Sequence, residues 1–82
     1  MYSYPSNSEI IKRHKTRVDQ NNEYREYVVY KKDEVFITAS IDWKIKSETK
    51  SGGNLDYYEE FKNEKDALVK YEEILSAWES EN

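Results

Sequence analysis

The stretch Val35-Phe36-Ile37-Thr38-Ala39-Ser40-Ile41-Asp42-Trp43-Lys44-Ile45-Lys46 decides the fold class. Every odd position is apolar: Val35, Ile37, Ala39, Ile41, Trp43 and Ile45. Phe36, Thr38, Ser40, Asp42, Lys44 and Lys46 fill the even ones. A period of two held this long is a β-strand with one buried face, because successive side chains leave a strand on opposite sides.

Upstream, Tyr24-Arg25-Glu26-Tyr27-Val28-Val29-Tyr30 is rich in β-branched and aromatic strand formers. Lys31-Lys32-Asp33-Glu34 separates it from the long strand and reads as a hairpin loop. The expected register sets Tyr30 opposite Val35, Val28 opposite Ile37 and Tyr24 opposite Ile41. It places Tyr24, Val28 and Tyr30 on the odd, buried face, and a slip of one residue would reverse the faces. Downstream, Ser47 to Asn54 holds both glycines and reads as a loop. Leu55 to Phe61 reads as a third strand, with Leu55, Tyr57 and Phe61 on one side. Glu59 falls among them, so the strand meets a sheet edge or contains a bulge.

Asn63 is a good helix N-cap, and Asp66 three residues on completes a capping-box pattern. Ala67, Leu68, Tyr71, Ile74, Leu75 and Trp78 then recur at helical spacing and form one apolar stripe. Asp66 and Lys70 add a supporting pair four residues apart. This helix is expected to cover the odd face of the sheet. The N-terminal 22 residues carry a weaker signal. Ser8 to Lys15 favours a short helix capped by Ser8 or Ser6, with Ile10, Ile11 and His14 on one side; an extra strand or a loosely ordered basic arm are the alternatives. The expected architecture is therefore a single α+β domain over residues 1–82. Three antiparallel strands pack on one C-terminal helix, with a short N-terminal helix as a further element.

At 82 residues, 37% of them charged and 37% hydrophobic, the chain has room for one modest core. Twelve aromatics set it apart from disordered sequences of similar charge. There is no cysteine, and no apolar run approaches the roughly 20 residues of a membrane span. The first residues lack the apolar core of a secretory signal. These features lead to the expectation of a soluble, cytoplasmic protein with no membrane association. The charge is uneven: residues 1–32 are net +3 and residues 33–82 net −7.

Catalytic chemistry finds little to build on. His14 is the only histidine, so His–Cys pairs and His/Cys metal clusters are excluded. Gly52-Gly53 lacks the lysine and helix that follow in a phosphate-binding loop. No carboxylate pair is singled out by spacing. No enzyme, metal or cofactor is expected.

Three surfaces remain as candidates for contact with a partner. The acidic helix offers Asp66, Glu72, Glu73 and Glu79 to a protein. The even face of the sheet offers Arg25, Tyr27, Phe36, Lys44, Lys46 and Tyr58 as a basic-aromatic patch. Either the N-terminal segment covers it, with Ile10 and Ile11 folded back over the aromatics, or it admits a second copy of the chain, a protein partner, or bases stacked beside the cations. The run Lys12-Arg13-His14-Lys15-Thr16-Arg17 is either a phosphate-binding arm or a solvated face.

With an N-terminal helix, the order helix, three strands, helix resembles the double-stranded-RNA-binding domain in topology. That family has a basic cluster at the start of the last helix. Glu64 and Asp66 stand there instead, so its activity is not carried over. Phe61-Lys62-Asn63-Glu64-Lys65-Asp66-Ala67 resembles the arm-site-binding domain of phage integrases. That likeness implies DNA on the sheet face, against Arg25, Tyr27, Lys44 and Lys46. In size, acidity and lack of cysteine the chain is similar to small phage and mobile-element inhibitors of host defence, anti-CRISPR proteins among them. This similarity implies a protein that blocks or regulates a host protein, including a nucleic-acid-binding enzyme. Binding of another protein is the leading expectation, and nucleic-acid binding through the sheet face is the alternative.

Overall fold

The computed structural model describes residues 7–47 and 50–81. Four antiparallel strands precede one helix: β1 (Ser8–Lys15), β2 (Glu23–Lys32), β3 (Val35–Ser47), β4 (Lys50–Phe61) and α1 (Glu64–Glu81). The strands form a meander in the order β1-β2-β3-β4. The α+β class, the antiparallel sheet and the C-terminal helix are as expected, but there are four strands rather than three. Ser8–Lys15 is an edge strand on β2, not a helix, and Ser6 lies outside the described residues. The segment is too short for its periodicity to decide. A register shift between Ile10 and Lys12 lets Ile10 stand opposite Tyr30 while Ile11 joins the core beneath α1. Without an N-terminal helix, the topological likeness to the double-stranded-RNA-binding domain falls away.

The β2–β3 hairpin is tighter than expected. Lys32 pairs with Val35, Tyr30 with Ile37, Val28 with Ala39 and Tyr24 with Trp43. This is two residues out of the expected register, so the faces are preserved. Asp33 allows the two-residue turn: its φ is 56°, a left-handed conformation that aspartate tolerates better than most residues.

Gly52 and Gly53 lie within β4 rather than in a loop, opposite Lys44 and Trp43. Gly53 is buried, and a Cβ there would sit 2.7 Å from the Trp43 ring. Glu26 Oε1 accepts a hydrogen bond from Trp43 Nε1 at 3.1 Å, which holds that ring in place. Gly53→Ala should therefore cost about 1–3 kcal/mol through overpacking. Urea denaturation followed by circular dichroism measures it, and an unchanged midpoint would mean that the indole moves freely.

α1 begins as the cap pattern predicts. Asn63 Oδ1 accepts from Asp66 N at 2.8 Å, and Asn63 Nδ2 donates to Asp66 Oδ2 at 3.0 Å. With Asp66 engaged there, Lys70 pairs with Glu73 instead, at 3.3 Å. The whole predicted stripe is in the core, but against the other face of the sheet. α1 packs on Tyr27, Val29, Phe36 and Phe61, the even side of β3, not on the odd side. Buried Ala67 lets the helix approach closely, and Thr38 Oγ1 donates to its carbonyl at 2.6 Å. Small Thr38 and Ser40 leave the room that bulky Ile37 and Ile41 would deny.

The odd face forms a second core of its own. Val28, Tyr30, Ile37, Ala39 and Ile41 are each at most 1% exposed, with Val35 and Trp43 packed on them. No described helix or strand lies over this side. Each face of the central pair β2–β3 therefore carries an apolar cluster, and Tyr27-Val28-Val29-Tyr30 supplies both in alternation. The shift between Ser40 and Ile41 skips Asp56 and is a bulge. It turns Leu55 to the helix-free side while Tyr57, Glu59 and Phe61 face α1. Glu59 stays beside Tyr57, whose hydroxyl donates to its carboxylate.

Candidate binding surfaces

The outer face of α1 bears the acidic residues singled out from the sequence. Asp66, Glu72, Glu73 and Glu79 are all exposed. Glu72 Oε1 lies 2.8 Å from Lys12 Nζ, and Glu73 Oε1 lies 3.3 Å from Lys70 Nζ. The carboxylate of Glu72 holds the Lys12 ammonium above its ordinary pKa. Val69 stands among these acids, one turn from Asp66, Glu72 and Glu73. It is 57% exposed, the highest value among the large apolar side chains of the described residues. Helical periodicity alone marks Val69 as the large aliphatic residue of α1 that falls off the stripe, which makes it findable from the sequence.

The six nominated sheet-face residues are not brought together on one open surface. Tyr27 is 3% exposed, beneath α1, with its ring against Trp78, which also contacts His14. Phe36 is half-buried in the same core. Tyr58 is exposed, but it points to the opposite side, across from Ala39. Lys44 is exposed and lies 3.8 Å from Glu23. The side chain of Lys46 lies outside the described ones. Arg25 is half-buried and held: Nε donates to Asp42 Oδ1 at 2.7 Å and Nη2 to Asp42 Oδ2 at 3.1 Å. Asp56 Oδ2 is 3.6 Å from Nη1. The hydrogen bonds Arg25 donates to Asp42 push the guanidinium pKa further up. The reason for the dispersal is the face that α1 covers, which turns the expected outer patch into an interior.

Strand alternation also splits the basic run. Lys12 and His14 face α1, and Lys12 lies 5.4 Å from the Tyr71 ring centroid. Arg13 and Lys15 face the other way, where Arg13 Nη1 is 3.3 Å from Glu26 Oε2. Glu26 is a buried carboxylate whose two oxygens are used by Arg13 and Trp43, a role the sequence pattern does not reveal.

Two concavities adjoin where β1 ends and the β1–β2 loop begins. The larger, about 1100 Å³, is lined by residues that include His14, Lys15, Arg17, Tyr24, Trp43 and Trp78. The smaller, about 260 Å³, lies under the last turns of α1 between Tyr27, Tyr57, Ile74 and Trp78. Arg25 and Trp78 border both. Tyr24 and Trp43 are cross-strand partners with near-parallel rings, 19° apart in plane and 6.4 Å between centroids. Burial, with Glu26 nearby, raises the Tyr24 pKa. Both rings belong to the odd stripe, so the sequence assigns them to the core and hides their second role as walls. No group of three or more His, Asp or Glu among the described residues is placed to hold a metal ion. No helix among them is long and apolar enough to cross a membrane.

Fold and surfaces together define the class: a four-stranded antiparallel meander backed on one face by a C-terminal helix, with an acidic outer helix and an aromatic concavity at one sheet end. Compared with known protein families, curated proteins and solved structures, the chain matches none of them.

Proposed function

We propose that this chain is a non-catalytic protein-binding module that inhibits or regulates another protein, and that the outer face of α1 makes the contact. The observation that carries the reading is exposed Val69 set among Asp66, Glu72 and Glu73, on a helix whose opposite stripe is committed to the core. An apolar projection ringed by carboxylates suits a basic partner surface with a small apolar recess. Both Glu72 and Glu73 are open to solvent in their ion pairs with Lys12 and half-buried Lys70, so the pairs contribute little and exchange readily for a partner's cations. A surface that ordinarily holds nucleic acid has this character, which makes a nucleic-acid-binding enzyme a fitting target. Such action is in the manner of small phage and mobile-element inhibitors, and the lack of cysteine suits work in the cytoplasm.

Nucleic-acid binding through the sheet face has less support, because Tyr27 and Phe36 lie against α1 and Arg25 is held by Asp42. A pull-down of the tagged protein from its natural host's lysate, with and without nuclease, separates the two. One protein retained in equal amount under both conditions is expected. Val69→Asp and the pair Glu72→Lys, Glu73→Lys should each weaken its capture by about tenfold or more. Recovery of nuclease-sensitive material alone would overturn the proposal.

A further inference from the structure

We propose that the concavity at the β1–β2 end of the sheet binds a nucleoside phosphate, with the base against its aromatic walls and the phosphate at Lys15 and Arg17. The site is separate from the outer face of α1.

The charge arrangement points to an anion. The larger concavity is bordered by Lys15, Arg17, Arg25 and Lys44 and by three carboxylates, those of Asp19, Glu23 and Asp42. Each carboxylate is already engaged within the fold. Asp42 takes both hydrogen bonds from Arg25, and Glu23 lies beside Lys44. Asp19 Oδ1 turns into its own loop, accepting from the backbone N–H of Asn21 at 2.8 Å and of Glu23 at 3.0 Å. Lys15 and Arg17 pair with no carboxylate among the described residues, and both are exposed. A surplus of positive charge thus gathers at one place on a chain of net charge −4. Long basic side chains of this kind recognise phosphate as point and fork donors.

The walls point to a planar, π-bearing group. Tyr24 and Trp43 on the helix-free side and His14 and Trp78 on the α1 side are each half-buried, so the concavity wraps the sheet end and a pair of rings borders it on each side. Stacking on such rings tolerates any base, because every base has a π-face. The volume of about 1100 Å³ exceeds what one mononucleotide fills, so an open strand end fits as well as a free nucleotide. The two sources share one chemistry, a base with an adjoining phosphate. The loop that borders the site is tied down by Thr16 N to Arg25 O at 2.9 Å and Ile45 N to Asn22 O at 2.8 Å, so the cations hang from a fixed frame.

The molecule carries its own probe, since the chain has two tryptophans and both line this concavity. Intrinsic fluorescence of the full chain is titrated with adenosine monophosphate and, separately, with a short single-stranded oligonucleotide. Saturable quenching is expected, and it should weaken about tenfold or more in Lys15→Glu, Arg17→Glu, as loss of two charge-assisted contacts implies. Quenching by the mononucleotide identifies free nucleotide as sufficient, and quenching by the oligonucleotide alone identifies a strand; either supports the site. No saturable change with either ligand, or equal affinity in the double variant, overturns it. Because both substituted residues lie off α1 and are exposed, the variant should fold normally and keep any protein partner of the helix.

Discussion

Tyr71→Ala should destabilise the protein by about 3–5 kcal/mol, the range for emptying a buried aromatic site. Tyr71 is 1% exposed at the centre of the contact between α1 and the sheet, with Ala67, Tyr27 and Val29 in the same cluster. A domain of this length has a total stability of only about 4–12 kcal/mol, so the loss is a large part of it. The variant is expected to show an early, broadened urea transition by circular dichroism, and to lose α1 with the tertiary signal of Trp78. Tyr71→Phe, which keeps the ring and the Lys12 contact above it, should stay within about 1.5 kcal/mol of the parent. An alanine variant as stable as the parent would mean that α1 is held by something other than this stripe.

On the other face of the sheet, Ile37→Ala should cost about 2–5 kcal/mol, as deletion of a well-packed aliphatic side chain does. Ile37 is 1% exposed in the cluster with Val28, Tyr30, Ala39 and Ile41, on the side that α1 leaves alone. The contrast is with Leu55→Ala, on the same side but 44% exposed at the edge, which should change stability by less than about 1 kcal/mol. Paired urea curves for the two variants measure this. A small effect at Ile37 would show that the helix-free cluster is open to water and that one core alone holds the fold.

These two variants probe the feature that sequence reading handled least well. The strict alternation along β3 correctly marks Ile37, Ala39 and Ile41 as buried, and the helical stripe correctly marks Ala67, Tyr71 and Trp78. Joining one pattern to the other is a separate step. The pattern alone points α1 to the odd face, but the more apolar side of a strand need not be the side a helix takes. Close approach of a helix backbone requires small residues beneath it, and Thr38 and Ser40 supply them on the even side. The candidate site suffered for the same reason. Tyr27 and Phe36, expected on an outer patch, lie beneath α1, whereas the exposed acids of the helix lie where the stripe predicts.

Local chemistry, then, settles the elements with strong short-range signals. The long strand follows from period-two alternation, α1 from its stripe and its Asn63–Asp66 cap, and the hairpin's facing from the same alternation. Those signals depend only on neighbours a few residues away, and the residues that carry them are printed in order along the chain. Tertiary structure decides the rest. Ser8–Lys15 becomes a strand because β2 offers an edge, and Gly53 is strand rather than loop because the Trp43 ring needs its space. The register moves by two because Asp33 adopts a left-handed turn, and the binding concavity exists because residues of all four strands and α1 meet at one end of the sheet. All but the Asp33 turn depend on a contact between residues distant in sequence, where the competing arrangements have similar local energies and only packing chooses between them.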